Sequence, residues 1–264
     1  MINNKKVGIG ILTHNRPDYF KQCFDAIKTN ADDVDVKMIV NDGNHYYIDC
    51  NEFTYINHVN NLGISKSKNE ILSYLIYNGC DYMFIIEDDI LVKSPKCFEQ
   101  YITHHEISGI HHFCCGSFLP SRGGPIKTFK YSKYDNISVD VYANCAGSFC
   151  FYTRECLLNV GIFDEKYCNA LEHVDLTYRL AKAGYTTPFG FFADISNSKE
   201  IIESIGGEFN DSVVNKENNK KVTEAFNYFK QKFGKGFPEV YENNIIDCEQ
   251  YVKFKFKASN KSTN

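Results

Sequence analysis

Tyr82-Met83-Phe84-Ile85-Ile86-Glu87-Asp88-Asp89-Ile90-Leu91-Val92 is an apolar run that breaks into three consecutive carboxylates and then resumes. Five apolar or aromatic residues without a polar break read as a strand buried on both faces, as in a parallel sheet covered by helices. Three adjacent acids at the edge of a core repel one another and are costly without a counter-ion. A solvated acidic turn is one way out. The buried strand before the triplet favours the other, a divalent cation. Hard oxygen ligands at the carboxyl end of a parallel strand suit Mg2+ or Mn2+, with open positions left for water and phosphate oxygens.

The flanking sequence extends this pattern. Val7–Leu12 reads as a first strand, ending in Thr13-His14-Asn15-Arg16, with Pro17 placed for the first turn of a helix. Phe20, Cys23, Phe24 and Ile27 then recur at helical spacing. Val36–Val40 is a second strand, closed by Asn41-Asp42-Gly43, and Phe53–Ile56 a weaker third. A helix after Gly63 turns Ile71, Leu72, Leu75 and Ile76 inward and stops at Asn78-Gly79. Strands alternating with helices, each strand ending in polar residues, predict a doubly wound α/β sheet. Its ligand lies at the carboxyl ends of the strands, where Thr13-His14, Asp42 and Glu87–Asp89 converge.

The second half is less regular. Pro95 to about His105 reads as a helix, Ile110–Cys115 and Gly147–Tyr152 as strands, and Arg122-Gly123-Gly124-Pro125 as a loop. Arg154–Val160 reads as a helical turn, and Glu172 opens a helix carrying Val174, Leu176, Leu180 and Ala183. Phe189–Phe192 is strand-like, Asn215–Lys221 an exposed loop, and Val222, Ala225, Phe226 and Phe229 one face of a helix ending at Gly234. Tyr251-Val-Lys-Phe-Lys-Phe-Lys alternates with period two, which predicts an edge strand guarded by lysines; a basic-aromatic patch in peripheral contact with an anionic membrane, or meeting a nucleic acid, is the competing reading. No linker separates two domains: residues 1–200 are expected to form the main domain and 201–264 an extension packed on it.

With 43% hydrophobic residues in 264, the chain has enough apolar material for a core. A net charge of -4 gives no electrostatic footprint for non-specific nucleic-acid binding. The cysteine count of 11 is odd, and many cysteines sit inside apolar patterns, so thiols in a reducing compartment are expected. No stretch is long and apolar enough to span a bilayer, and the N-terminus lacks a signal-type apolar region. The expected location is cytoplasmic.

Six motifs in order make the chain resemble the GT-A glycosyltransferases, in particular the family-two group, over roughly residues 5 to 195. Ile11-Leu12-Thr13-His14-Asn15-Arg16 is similar to that family's opening Thr-Tyr-Asn-Arg, and Val40-Asn41-Asp42-Gly43 to its Asp-Asp-Gly-Ser turn. Asn61-Leu62-Gly63 through Lys68-Asn69 resembles its Asn-x-Gly segment before a basic residue and Asn, and Glu87-Asp88-Asp89 occupies the Asp-x-Asp position. Gly161-Ile162-Phe163-Asp164-Glu165 resembles Gly-Gly-Phe-Asp-Glu. Glu172-His173-Val174-Asp175-Leu176, with Arg179 and Gly184-Tyr185, resembles the Glu-Asp-x-Asp-Leu…Arg…Gly-Tyr helix.

The resemblance implies a metal-dependent transfer of a hexosyl or N-acetylhexosaminyl unit from a nucleotide sugar, UDP-linked first, to an acceptor hydroxyl. It implies that Thr13, His14 and Asp42 hold the nucleotide base, Asp42 through the base imide. Lys68, or its competitor Lys66, would approach the phosphates. Asp89 would bind Mn2+ or Mg2+ directly, with Glu87 and Asp88 ligating through water or holding sugar and ribose hydroxyls. The main departure is His173, where inverting members carry an aspartate. The base is then His173, Glu172 or Asp175, or a retaining mechanism needs none there; a histidine that only hydrogen-bonds locally is the plain alternative. The acceptor, whether saccharide, lipid, protein or modified DNA base, is left open. The rival reading is a non-catalytic nucleotide-sugar or carbohydrate-binding protein on the same fold.

Two further features are expected to be structural. His104-His105, His111-His112 and Cys114-Cys115 are adjacent pairs, which make poor tetrahedral zinc sites because strand neighbours point to opposite faces. Cys145 and Cys150 are expected beneath the donor sugar as packing residues. Asp164-Glu165 either contacts the acceptor or caps a turn.

Overall fold

The computed structural model describes residues 1–45, 49–116, 124–131, 133–134, 137–168, 170–206, 219–237 and 239–259. The first half runs β1 (Val7–Thr13), α1 (Pro17–Asn30), β2 (Val36–Asn41), β3 (Thr54–Asn57), α2 (Ile64–Tyr77), β4 (Tyr82–Glu87) and β5 (Ile90–Val92). There follow α3 (Cys97–Ser108), β6 (His112–Cys114), β7 (Lys127–Lys130), β8 (Ser138–Tyr142), β9 (Phe149–Thr153), α4 (Arg154–Val160) and α5 (Glu172–Lys182). β10 (Phe192–Ile195), α6 (Ser198–Ile201), β11 (Ile202–Ser204), α7 (Asn219–Phe233) and α8 (Ile245–Ser259) complete the described elements.

The central sheet is mixed and mainly parallel, with order β3-β2-β1-β4-β9-β6. β3, β2, β1 and β4 are parallel, whereas β9 runs antiparallel to both β4 and β6. Helices cover both faces, as the alternating sequence predicts. Val7, Ile9, Ile11, Phe84 and Ile86 join α1, α3 and α8 in one apolar layer. Met38, Val40, Met83 and Ile85 join α2, α4, α5 and α7 in the other. Strand β1 alternates β-branched residues with Gly8 and Gly10 because α2 lies against its second face. A Cβ at Gly10 would fall 2.0 Å from Ile71 Cγ2, and one at Gly8 2.6 Å from Leu75 Cδ2. The same registers place Thr13 beside Asn41 and Leu12 beside Glu87, so three strands deliver their polar ends to one edge.

Several segments differ from the sequence-based expectation. The period-two C-terminal stretch is not an edge strand but part of α8, which buries Cys248 and Val252 against the α3 side and leaves Phe254 68% exposed. Phe189–Phe191 precede β10 rather than forming it, since the pairing with β8 starts at Phe192. Helix α7 begins at Asn219, inside the expected loop; 215–218 lie outside the described residues, as do Arg122 and Gly123 of the other loop. Between residues 124 and 150 the chain adds β7 and β8, which pair with β10 as a separate antiparallel sheet. β5 pairs with β11. Among the described residues no helix is long and apolar enough to cross a membrane.

Candidate active site

The acid triplet lies where β4 ends and turns into β5. Asp88 is fully buried; its Oδ2 accepts a hydrogen bond from Thr13 Oγ1 at 2.8 Å, and its Oδ1 accepts from the Arg16 guanidinium. Arg16 Nη1 also donates to Asp89 Oδ2 at 3.2 Å, so one guanidinium spans two neighbouring acids. Asp89 Oδ1 is buried without a hydrogen-bond partner among the described residues. Burial pushes the Asp88 carboxyl up to about 7 against the opposing pull of Arg16. Burial and the nearby Glu87 charge raise Asp89 as well. Gly206 packs against this corner, where a Cβ would meet Asp89 Oδ2 at 2.5 Å.

Glu87 belongs to a second cluster. Lys68, on α2, has its side chain in the interior rather than on a phosphate-facing surface. Its Nζ donates to Glu87 Oε1 at 2.7 Å, to Glu172 Oε1 at 3.1 Å and to the Gly147 carbonyl at 3.1 Å. Its competitor Lys66 is exposed. Burial alone would raise the Glu172 pKa, but Lys68 and then His173 outweigh it and hold the carboxyl well below the usual range. Burial likewise opposes the Lys68 charge, and Glu87 and Glu172 more than restore it. Lys68 thus pins α2, β4 and the start of α5 together through a buried cation.

His173 stands beside that pin. Its Nδ1 lies 3.2 Å from Glu172 Oε1 and its Nε2 3.3 Å from the Cys145 carbonyl oxygen. Leu171, at φ 63°, makes the left-handed turn that starts α5 and sets the angle at which these side chains enter the site. Gly147 faces the ring: a Cβ there would come 2.7 Å from both Cγ and Nδ1 of His173. Asp175, one helical turn on, is buried and accepts from Arg179 Nε and from Lys232 Nζ, each at 2.7 Å. It fastens α5 to α7. Asp164 caps its own turn through the Lys166 N–H and accepts from Tyr228 and Lys232, while Glu165 accepts from Asn69. Cys150 is buried and Cys145 half-buried beside α5, where its Sγ approaches Thr177 Oγ1 at 3.6 Å.

On the β2 side, Asp42 is a loop organiser. Its Oδ1 accepts from the Leu62 N–H at 2.7 Å and its Oδ2 from the Gly63 N–H at 2.9 Å, and His58 Nδ1 lies 2.7 Å from Oδ1. His14 Nδ1 donates to the Asp42 carbonyl, which leaves Nε2 to accept from the Asn15 and Asn61 amides. Both residues therefore sit at the expected edge, shaping the 58–63 loop by contacts within the protein. Three residues of this region carried no assigned role in the sequence reading. Arg16 stood in a quoted motif, and Gly147 only marked a strand start. His58, one residue past β3, repeats the pattern of a polar strand end and could have been found by it.

His104 and His112 are buried, His105 and His111 half-buried, and His45 is exposed. His112 Nδ1 donates to the Phe151 carbonyl and Nε2 lies 3.0 Å from Thr177 Oγ1, His104 Nδ1 donates to the Gln100 carbonyl, and the His105 and His111 rings meet edge-to-face. Burial pushes His105, His111 and His112 down to about 4.

Among the described residues, no three His, Cys, Asp or Glu side chains are gathered round one point as a metal cage. Each acid of the triplet faces a protein cation instead. The donor set still fits a hard divalent cation in charge and chemistry. Glu87, Asp88, Asp89 and Glu172 carry four formal negative charges against the two positive charges of Arg16 and Lys68. Asp89 Oδ1 is the orphaned oxygen.

The sequence matches no family model. One curated relative is a glycosyltransferase. It is an uncharacterized glycosyltransferase of Acanthamoeba polyphaga mimivirus, 27% identical over 216 residues, which cover 75% of this chain and 80% of that protein. Among solved structures, a mannosyltransferase of Pyrobaculum calidifontis in complex with GDP-Man and Mn2+ superposes with a TM-score of 0.48 at 12% identity, covering 71% of this chain and 53% of that one. S. aureus TarS gives 0.49 at 12% identity, over 67% of this chain and 33% of that one. GalNAc-T7 with UDP, GalNAc and Mn2+ gives 0.48 at 8% identity, over 72% and 42% respectively. The chain thus spans about half the length of these solved chains, or less.

Proposed function

We propose that this chain is a glycosyltransferase that moves a sugar from a nucleotide-sugar donor, UDP-linked first, to an acceptor hydroxyl, with Mn2+ or Mg2+. The observation that carries the reading is the gathering of Thr13, Arg16, Glu87, Asp88, Asp89, Glu172 and His173 at the carboxyl edge of a mainly parallel sheet. The ordered motifs and the viral relative agree with it. Asp89 would hold the ion, with Glu87 and Asp88 beside it, and when bound the ion neutralises the diphosphate as the glycosidic bond breaks.

His173 is the base that the geometry favours over Glu172 and Asp175. Those two acids are buried and committed to Lys68, and to Arg179 and Lys232. His173 is partly open, and Glu172 orients its ring from Nδ1. With its proton held on Nδ1 by Glu172, the ring would turn Nε2 away from the Cys145 carbonyl, 3.3 Å away, to take the acceptor hydroxyl's proton as that oxygen attacks the anomeric carbon, and the donor's diphosphate would leave with the bonding electron pair.

The test is nucleotide release from UDP-, GDP- and CMP-sugars, with Mn2+ or with EDTA, by wild type and Asp89→Asn. Metal-dependent hydrolysis of one donor, lost in Asp89→Asn, is expected. Binding of a donor without any turnover, even after an acceptor screen, would replace this reading with a carbohydrate-binding protein on the same fold.

A further inference from the structure

We propose that Arg16 is a built-in counter-cation that competes with the divalent metal for Asp88 and Asp89, so that the ion binds only by displacing the guanidinium. The inference rests on the metal site of the proposed function, but concerns a residue to which neither the motif reading nor the comparisons give a task.

Three observations carry it. First, the guanidinium lies across both acids, with Nη2 on Asp88 Oδ1 and Nη1 on Asp89 Oδ2. A planar fork that satisfies two carboxylates takes up the lone pairs a metal would need. Second, the pairing is incomplete, because Asp89 Oδ1 is buried with no partner among the described residues. A single guanidinium neutralises one of the two charges, whereas a divalent ion would neutralise both. Third, Arg16 is placed to leave. It caps α1 just before Pro17, held to the helix by its backbone carbonyl, which accepts from the Phe20 N–H, and its side chain is 22% exposed while that of Asp88 is fully buried and that of Asp89 18% exposed. The Tyr19 ring lies 5.4 Å from its Cζ, offering the released cation an aromatic face on the same helix. Asp88 is therefore fixed, and the long Arg16 side chain is the part able to move.

A merely structural ion pair would behave differently when cut. Removing the arginine would leave two buried acids uncompensated and destabilise the protein, and metal would not restore it specifically. A competitor, once removed, opens the site. The experiment is a Mn2+ titration followed by electron paramagnetic resonance of the free ion, without nucleotide, on wild type, Arg16→Gln, Asp89→Asn and the double variant. Thermal unfolding is recorded in EDTA and in Mn2+. Arg16→Gln is expected to bind one Mn2+ about tenfold or more tighter than wild type, corresponding to about 1.4 kcal/mol. The double variant should lose that binding. Arg16→Gln should also melt lower than wild type in EDTA and recover in Mn2+. Arg16→Lys, which keeps the charge but not the fork, should fall between the two and serves if Arg16→Gln does not fold.

Equal or weaker Mn2+ binding by Arg16→Gln, with Asp89-dependent binding by wild type, would overturn the competition and leave the metal site standing. Absence of any Asp89-dependent Mn2+ binding, in wild type and Arg16→Gln alike, would overturn the metal reading and this proposal with it.

Discussion

Between Asp42 and Glu70 the His58 ring has a carboxylate on each side, 2.7 Å from Nδ1 and 2.7 Å from Nε2. Both neighbours only accept, so the imidazolium alone can donate to both. Burial lowers the His58 pKa, but hydrogen bonds to Asp42 and Glu70 outweigh it and raise the value above the ordinary one. A raised value means that the stabilisation is complete below about pH 6.5 and fades as pH climbs through the folded-state pKa. His58→Leu should cost about 2 kcal/mol near pH 6, less than a fully buried pair because Glu70 is partly exposed, and clearly less near pH 9. Urea unfolding at the two pH values measures this, and a gap that does not change with pH would refute the bridging imidazolium. Gly147 allows a sharper test of geometry. A Cβ placed 2.7 Å from His173 must move the ring, whereas the carbonyl that receives Lys68 belongs to the backbone and survives substitution. Gly147→Ala is therefore expected to lower donor transfer about tenfold or more while shifting the melting temperature little. Loss of fold in place of loss of rate would mean that the close approach serves packing.

At the scale of elements, legibility in the sequence followed the range of the interactions. β1, β2, β4, α1 and α2 could be read because their burial repeats within one segment, as with Phe20, Cys23, Phe24 and Ile27. The β7–β8 hairpin and its pairing with β10 could not, since β7 is short and half-exposed, and the other partner of β8, β10, comes from much later in the chain. The site divides in the same way. Its carboxylates stand out as a triplet, but Arg16 lies 72 residues from Asp88, and Lys68, 19 residues from Glu87, also ties in Glu172 104 residues on; no local pattern announces such pairs. Over the few residues 251–257 of α8, alternation and helical spacing coincide, so the sequence pattern fits strand and helix alike. Val252, Phe254 and Phe256 share one side of a strand, whereas Cys248, Val252 and Phe256, spaced by four, share one side of a helix. The difference shows at Phe254. Phe254→Asp should change stability by less than about 0.5 kcal/mol, while Val252→Asp should cost several, about 3 kcal/mol or more. Comparable losses at both positions in chemical denaturation would restore the strand.

At the scale of the whole molecule, two helix-covered faces and one polar edge leave the edge with a charge deficit that the protein's own side chains do not close. Four carboxylates face two protein cations there, the buried Lys68 and the displaceable Arg16, in a chain whose net charge is already -4. A nucleoside diphosphate adds about two and a half to three further negative charges, one on the inner phosphate and about 1.5 to 2 on the outer. At an effective dielectric of about 20, each like-charged pair about 4 Å apart costs about 4 kcal/mol. A diphosphate therefore has little affinity for this edge by itself, and a divalent ion that joins it removes the repulsion on both sides. Linkage makes this reciprocal: the factor by which Mn2+ tightens UDP must equal the factor by which UDP tightens Mn2+. We expect that factor to be about 100 or more, measured by calorimetry for UDP at saturating Mn2+ and in EDTA, and by spin resonance for Mn2+ with and without UDP. Displacement of Arg16 enters the same cycle, because part of the metal's binding energy is consumed in releasing the guanidinium. In Arg16→Gln, Mn2+ alone binds better and has less to gain from UDP, so the coupling factor should shrink as the bare-metal affinity rises. A coupling factor that stays the same in wild type and Arg16→Gln would show that the arginine and the ion act on different carboxylates.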